Sequence, residues 1–412
     1  MLDIIQNILG IKQKDVANWF EAQWKNLRPN IYLSCDIRHS GFKIGVVDSN
    51  LFPAGFNNLC TAFSRQTALA FKCYLEDYFP HVKKIVLLAE DHTRNKFYLL
   101  NLLHLKKLLS SDIHEIEFAI IGNDIGNNTL EVSVDEGKLT LFKLSREKNL
   151  VRAGNFVPDL ILSNNDFSTG IPEILKGLDQ SIIPHPALGW HQRRKSRHFS
   201  LLKEITDSFC KEFNLDPWMI NAFFDVSAPL DFNDANSINK LATQVDALIS
   251  KIGDKYNQYQ IKEVPYVYIK NNTGTYGMGL AAVFSGEDIL LFNRKKKNKL
   301  MSAKGGMTAS NYLLQEGIPT IDKYSGFPVE PVIYAVGAHD VGGFFRVHES
   351  KNEFESLNAP GMSFSCLCLH KLDEPHESYF LDCQEKEHVV NVSRFLCRLA
   401  ALASARELEL VK

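Results

Sequence analysis

Between residues 31 and 166 short apolar runs alternate with longer amphipathic stretches, and the runs stop at clusters of polar residues. Runs at 31–36, 84–89, 117–121 and 159–162 read as strands, and stretches at 58–79 and 96–109 as helices, from the spacing of their apolar positions. Another apolar run covers 42–47 before a polar turn. A further helix is predicted over 13–27, where Val16, Trp19, Phe20, Gln23, Trp24 and Leu27 recur every three or four positions before Pro29 ends it. Strands separated by helices pair in parallel, and such sheets gather ligands at the carboxyl ends of their strands. The first half is therefore expected to be an α/β domain. Beyond it, paired short strands dominate from 264 to 347, and a helix of Leu, Ala and Arg closes the chain from about 389 to 408. Ser227, Pro229, Asp231 and Asn233 mark the boundary, dividing the chain into 1–228 and 229–412.

A chain of 412 residues with 45% hydrophobic and 23% charged residues can bury a core in two or three domains, which excludes disordered and fibrous classes. Lys plus Arg is 46 and Asp plus Glu is 48, so no global charge favours nucleic acid or an anionic membrane as partner. The eight cysteines form no CxxC pair and read as reduced thiols of a cytoplasmic protein. Asp3 stands where a secretory signal carries positive charge, and no run approaches the roughly 18 apolar residues of a membrane helix. A soluble, untargeted protein is expected.

The sharpest local motif is Tyr266-Val-Tyr-Ile-Lys270-Asn-Asn-Thr-Gly274-Thr-Tyr-Gly277-Met-Gly279. Alternating residues make 265–269 a strand with Lys270 at its end, before a loop of three glycines. Without Cβ atoms such a loop brings backbone N–H groups close to phosphate oxygens, and the lysine adds a point charge. No Gly-Lys-Ser/Thr closes it, and 280–284 reads as strand, so it is neither a Walker loop nor a dinucleotide fingerprint. A glycine-rich hairpin chosen only for its turn geometry reads equally well. The basic run 293–299 is by itself a solvated turn, and Lys304, before paired glycines, could reach a transferring phosphoryl group. A hairpin from Glu330-Pro-Val-Ile-Tyr334 to Val341-Gly-Gly-Phe-Phe-Arg346-Val-His348 puts Phe344, Arg346 and His348 on one face. Of these, Arg346 suits a carboxylate or phosphate; a histidine satisfied within the core is the commoner case for His348. Asn358-Ala-Pro-Gly361 is a tight turn whose amide could support a metal or phosphate, or simply a turn.

The first half adds polar clusters at strand ends: Asp36 and Arg38; Asp48 to Asn58 with Asn57; His92 and Arg94; Asn164 to Asp166 with Asn165; then His185, Trp190, Arg193, Arg194, Lys195 and His198. Strand-end loops are polar anyway. Arginines joined there by carboxylates and amides are nevertheless the groups that hold an amino acid's carboxylate and ammonium together.

Five ordered motifs then resemble one known family: Asn-Leu-Phe-Pro-Ala-Gly-Phe-Asn-Asn at 50–58, His-Thr-Arg-Asn at 92–95, Gly-Thr-Tyr-Gly-Met-Gly at 274–279, Gly-Gly-Phe-Phe-Arg-Val-His at 342–348 and Leu-Asn-Ala-Pro-Gly at 357–361. Together they are similar to the proteobacterial glutamate–cysteine ligase family. The resemblance implies an α/β chain with a Rossmann-like amino-acid-binding domain at 1–228 and an ATP-grasp domain at 229–412. It implies a reaction in which ATP phosphorylates the side chain of glutamate and the amine of cysteine captures the acyl phosphate, with Mg²⁺ as cofactor. Lys270 would hold the α and β phosphates, Thr273, Gly274, Tyr276, Gly277 and Gly279 would close over the nucleotide, and Glu330 and Val332 would face adenine. Arg346 and Asn358 would face the acyl phosphate. Asp36, Arg38, Asn57, Asn58, Arg94, Asn165, Arg193, Arg194 and Arg346 are the candidates for binding substrate. No Glu-x-Asn metal pair stands near the C-terminus, which leaves Asp322, Glu330 and Asn358, with Glu330 and Asn358 favoured. Other readings are a different ATP-grasp carboxylate–amine ligase, or a non-catalytic nucleotide or nucleic-acid binder using 294–299. A lysine at a strand end has no core to lose, so Lys270→Ala is expected to abolish turnover with the fold intact.

Overall fold

A computed structural model of the chain describes residues 1–91, 95–110, 114–122, 128–273, 279–301, 311–367 and 386–411. In chain order the strands are β1 (Tyr32–His39), β2 (Ile44–Asn50), β3 (Lys84–Leu88), β4 (Glu115–Ile120), β5 (Thr129–Val134), β6 (Gly137–Glu147), β7 (Leu150–Ala153), β8 (Leu160–Ser163), β9 (Ser181–Ile183), β10 (Phe224–Val226), β11 (Val267–Asn271), β12 (Leu280–Val283), β13 (Tyr312–Glu316), β14 (Lys323–Tyr324), β15 (Phe327–Val336), β16 (His339–Val347) and β17 (Ser363–Cys366). The helices are α1 (Leu2–Ile11), α2 (Gln13–Trp24), α3 (Thr61–Tyr78), α4 (Lys96–Leu109), α5 (Lys195–Phe213), α6 (Ala235–Gln258), α7 (Glu287–Leu290), α8 (Arg294–Met301) and α9 (Lys386–Glu409).

The Ile-Val-Leu-Leu run of β3 has no polar face, and it forms the middle of a sheet covered on both sides. Ile85 and Leu87 pack into one core with Leu160 and Leu162, whereas Val86 and Leu88 pack into another with Ile161. The strand order is β5-β6-β4-β3-β8-β9, with β7 also on β6. Strands β6, β4, β3, β8 and β9 are mutually parallel, as the strand and helix alternation predicts.

Strands β1 and β2 depart from that expectation. Only residues 40–43 separate them, closed by a 2.8 Å bond from Ser40 N to Lys43 O, and so short a link permits antiparallel pairing alone. They extend an antiparallel sheet of order β17-β16-β15-β1-β2 that joins the two ends of the chain. Helix α9 covers it, its Val392, Leu396 and Ala400 sharing a core with Ile37, Ile333 and Phe345. A third, antiparallel sheet, β10-β13-β11-β12, is backed by α6 through Leu241, Val245 and Ile252. Two of the three sheets therefore take strands from both sides of residue 228.

Among the described residues no helix is long and apolar enough to cross a membrane. Cys35, Cys73, Cys210 and Cys397 carry thiols, as expected, but Cys60 is disulfide-bonded, which corrects the reading of every cysteine as reduced. Spacing along the chain does not report which cysteines meet in space.

Candidate active site

The polar carboxyl ends of β3 and β4 meet one face of the antiparallel sheet β17-β16-β15-β1-β2, and a cleft of about 1680 Å³ lies between them. Side chains on a strand alternate between faces, so a charged residue at every second position along neighbouring strands builds a charged wall. That wall carries Asp36 of β1, Asp48 of β2 and Arg346 of β16. Asp36 stands directly opposite Asp48, and Glu330 of β15 directly opposite Arg346.

Arg346 Nη1 donates to Asp36 Oδ2 at 2.7 Å and to Glu330 Oε1 at 2.6 Å, while its Nη2 reaches Asp36 Oδ1 at 3.2 Å. The other Glu330 oxygen accepts from Arg38 Nε at 2.8 Å. Carboxylates and guanidinium groups thus alternate in one buried chain: Asp36, Arg346, Glu330, Arg38. Burial opposes the charge on Glu330, but Arg38 and Arg346 outweigh it and hold its pKa below the usual value. Burial pushes Asp36 up instead, since it has one arginine and the repulsion of Glu330 and Asp48. Arg346 Nε has no hydrogen-bond partner, which leaves a buried cationic donor unengaged on a residue of the cleft wall.

Asp48 pairs with Lys195, and the Lys195 ammonium lies 4.8 Å from the ring centre of Trp190, another cleft residue. Burial works against the Asp48 charge, yet Lys195 and then Lys270 lower its pKa. The ladder between β1 and β2 shifts register after Asp36, leaving Val47 as an extra residue. Lys270 Nζ donates 2.7 Å to the Val47 carbonyl and 2.6 Å to Gln315 Oε1. Burial lowers its pKa to about 8. Lys270 is 6% exposed, so it is not the coreless strand-end lysine that the sequence suggests: the sheet β1-β2 covers it.

Of the other residues singled out in the sequence, Asn57, Asn58, Val332 and Asn358 line the cleft with Asp36 and Arg346. His348 Nε2 bonds the Pro360 carbonyl at 3.0 Å and so anchors the turn that bears Asn358. Four others are engaged within the protein and do not line the cleft. Arg38 donates to Glu330, to the Tyr268 hydroxyl at 3.0 Å and to backbone carbonyls. Arg193 grips both Glu407 oxygens at 3.1 and 3.0 Å and Ser49 at 2.9 and 3.0 Å. Arg194 donates to the carbonyls of His191, Gln192 and Arg193, and Asn165 Oδ1 accepts from Phe167 N at 3.0 Å. Glu330 sits between two arginines at 3% exposure, a poor position for a metal ligand or an adenine contact, and Asp322 is occupied by His39 at 3.1 Å. Thr273 bonds Asn271 Oδ1 through its N–H and its hydroxyl, both at 3.0 Å, and the Gly279 carbonyl accepts from Asn271 N at 3.0 Å. Arg94, Gly274, Tyr276, Gly277 and Lys304 lie outside the described residues.

Asn50, Trp190 and Tyr334 also line the cleft and were not chosen as ligands from the sequence. The apolar run that gives the strand ends at Val47, but pairing with β1 carries β2 through the polar residues to Asn50. Asp48 and Asn50 then share a face, a signal visible once the hairpin register is known.

Residues 6–408 match the family described as glutamate-cysteine ligase. The chain belongs to the glutamate–cysteine ligase family. This ligase forms γ-glutamylcysteine and acts in glutathione biosynthesis. A solved structure of a proposed gamma-glutamylcysteine synthetase from Methylobacillus flagellatus is 35% identical, covers 100% of this chain and 96% of its own, and superposes with a TM-score of 0.88. A glutathione synthetase-like effector from Globodera pallida is 13% identical over 88% of this chain and 87% of its own, with a TM-score of 0.43. D-alanyl-alanine synthetase A from Vibrio cholerae is 11% identical over 79% and 81%, with a TM-score of 0.34. A comparison of the ligase with curated proteins gives no match.

Proposed function

We propose that the cleft is where this ligase activates glutamate as its γ-glutamyl phosphate, using ATP, and where the amine of cysteine displaces the phosphate. The observation that carries this reading is Arg346: a guanidinium on the cleft wall, clamped by Asp36 and Glu330, whose Nη2 gives one N–H to Asp36 at 3.2 Å and keeps a second. A fixed cationic donor of this kind stabilises charge that develops on a phosphoryl or acyl oxygen, and it needs no reorganisation when the reaction occurs. Asn57, Asn58 and Asn358 offer amide donors and acceptors for the amino acids. The cleft's own residues thus bind and orient, and no enzyme nucleophile is required.

Asp36 and Asp48 stand face to face and both line the cleft, with Asn50 on the same face two residues along β2. Arg346 beside Asp36 and Lys195 beside Asp48 offset the two like charges in the free protein. Two carboxylates and an amide oxygen suit Mg²⁺, so Asp36, Asp48 and Asn50 would hold it in preference to Glu330, with Asn358 as a further amide on the cleft. Held by these residues, the metal would supply positive charge against that of the phosphate oxygens. Lys270 retains one N–H beyond those given to Val47 and Gln315, and we assign it to the nucleotide phosphates.

On this reading β11 and β12 belong to an ATP-grasp unit formed mainly from 229–412, facing the sheet that contains β15, and the parallel core β6-β4-β3-β8-β9 is a Rossmann-like unit from 1–228. Purified protein given ATP, Mg²⁺, glutamate and a panel of amines tests the chemistry. Phosphate release that depends on both glutamate and cysteine is expected, and release indifferent to cysteine rejects the reading.

A further inference from the structure

The wall that bears Asn57 and Asn58 is a loop, residues 51–58, with a single short helical turn at Phe56–Asn58. Its own backbone closes the turn with a 2.9 Å bond from Asn58 N to Gly55 O, and buried uncharged groups tie the loop to the rest of the protein. Asn101, fully buried in the middle of α4, accepts at one oxygen the N–H groups of both Gly55 and Phe56, at 2.9 and 3.0 Å. Its Nδ2 donates 3.2 Å to Asn164 Oδ1, and Asn164 Nδ2 donates 2.9 Å to the Pro53 carbonyl. From the opposite side the Tyr334 hydroxyl donates to the Ala54 carbonyl. Gly55 has φ +99°, and a Cβ there would stand 2.8 Å from the Tyr334 hydroxyl, so only glycine admits that approach.

Asparagine is a poor residue for a helix interior, and a buried amide is unfavourable unless bonded. The helix does not need Asn101: its buried neighbours Leu99, Leu102 and Leu105 show what packing alone would select. The amide serves the loop. We propose that Asn101, with Asn164 behind it, is a positioning residue of the ligase: it sets the loop so that Asn57 and Asn58 meet the amino-acid substrates. The inference rests on the proposed assignment of the cleft to those substrates.

Asn101→Leu keeps the branched shape and the number of side-chain heavy atoms and removes the acceptor. It is expected to raise KM for an amino-acid substrate about tenfold, the effect of one or two ordinary hydrogen bonds, while KM for ATP stays within about twofold. Asn101→Asp keeps an oxygen for both N–H groups and is expected to retain most of the parent's amino-acid KM. If Asn101→Leu does not fold, Asn164→Ala, which frees the Pro53 carbonyl and Asn101 Nδ2 but leaves Asn101 Oδ1 on the loop, replaces it with the same expectation. A folded variant with a lowered melting temperature and unchanged amino-acid KM overturns the proposal, since a purely structural role predicts that pattern. Asn57→Ala and Asn58→Ala measured alongside separate the two failures. If they leave every KM unchanged, the cleft assignment is wrong; if they raise KM but Asn101→Leu and Asn164→Ala do not, the positioning role is wrong.

Discussion

Arg346 has two carboxylates to satisfy and a ligand to meet, and lysine cannot do this from a single ammonium. Arg346→Lys is expected to lower kcat/KM for the ligation by about a hundredfold or more while circular dichroism stays unchanged. Activity within about threefold of the parent would show that Arg346 only braces the sheet. Lys270 makes a different case. Because its ammonium holds the Val47 carbonyl and Gln315, Lys270→Met is expected to lose about 1–3 kcal/mol of stability as well as turnover, read from denaturant unfolding. The sequence singles out Asp36, Asn57, Asn58, Asn358 and Arg346, and all five line the cleft. It misassigns Arg38 and Arg193, because an arginine that binds a substrate and one that binds Glu330 or Glu407 look alike until the partner is known.

At the scale of elements, the tie between α9 and β2 runs through Glu407. It accepts from Arg193 and, at 2.9 Å, contacts His198 Nδ1 on α5. Burial alone would raise its pKa, but Arg193 and His198 prevail and lower it from 4.5 to about 2. A carboxyl depressed by folding stabilises the protein above its unfolded pKa, and that contribution fades as pH falls from about 4.5 towards 2. The loss should approach about 3 kcal/mol across this window, and in Glu407→Gln the acid limb should flatten. An unchanged acid limb in that variant would remove the role. Element boundaries were legible where periodicity was strong, as in α3, α4 and β3. The pairing of β1 with β15 was not, since Cys35 and its partner Ile333 lie 298 positions apart and no local pattern reports so distant a contact.

For the whole molecule, the sheet that joins the first and last quarters of the chain sets the terms. Ile37 and Val46 of the first half share a core with Ile333, Phe345 and Leu396 of the second. Fragments 1–228 and 229–412 expressed separately should therefore expose this core and show neither cooperative unfolding nor protease resistance; two independently stable fragments would contradict the prediction. The central claim is that acid activation and amine capture occur against the wall of Asp36, Asp48 and Arg346. A crystal structure with ADP, Mg²⁺ and a non-reactive analogue of γ-glutamyl phosphate tests it most directly. The account predicts a metal at about 2.1 Å from oxygens of Asp36 and Asp48, and the analogue's phosphoryl group within hydrogen-bond reach of the Arg346 guanidinium. Nucleotide and analogue bound elsewhere, with Arg346 still touching only Asp36 and Glu330, would contradict it.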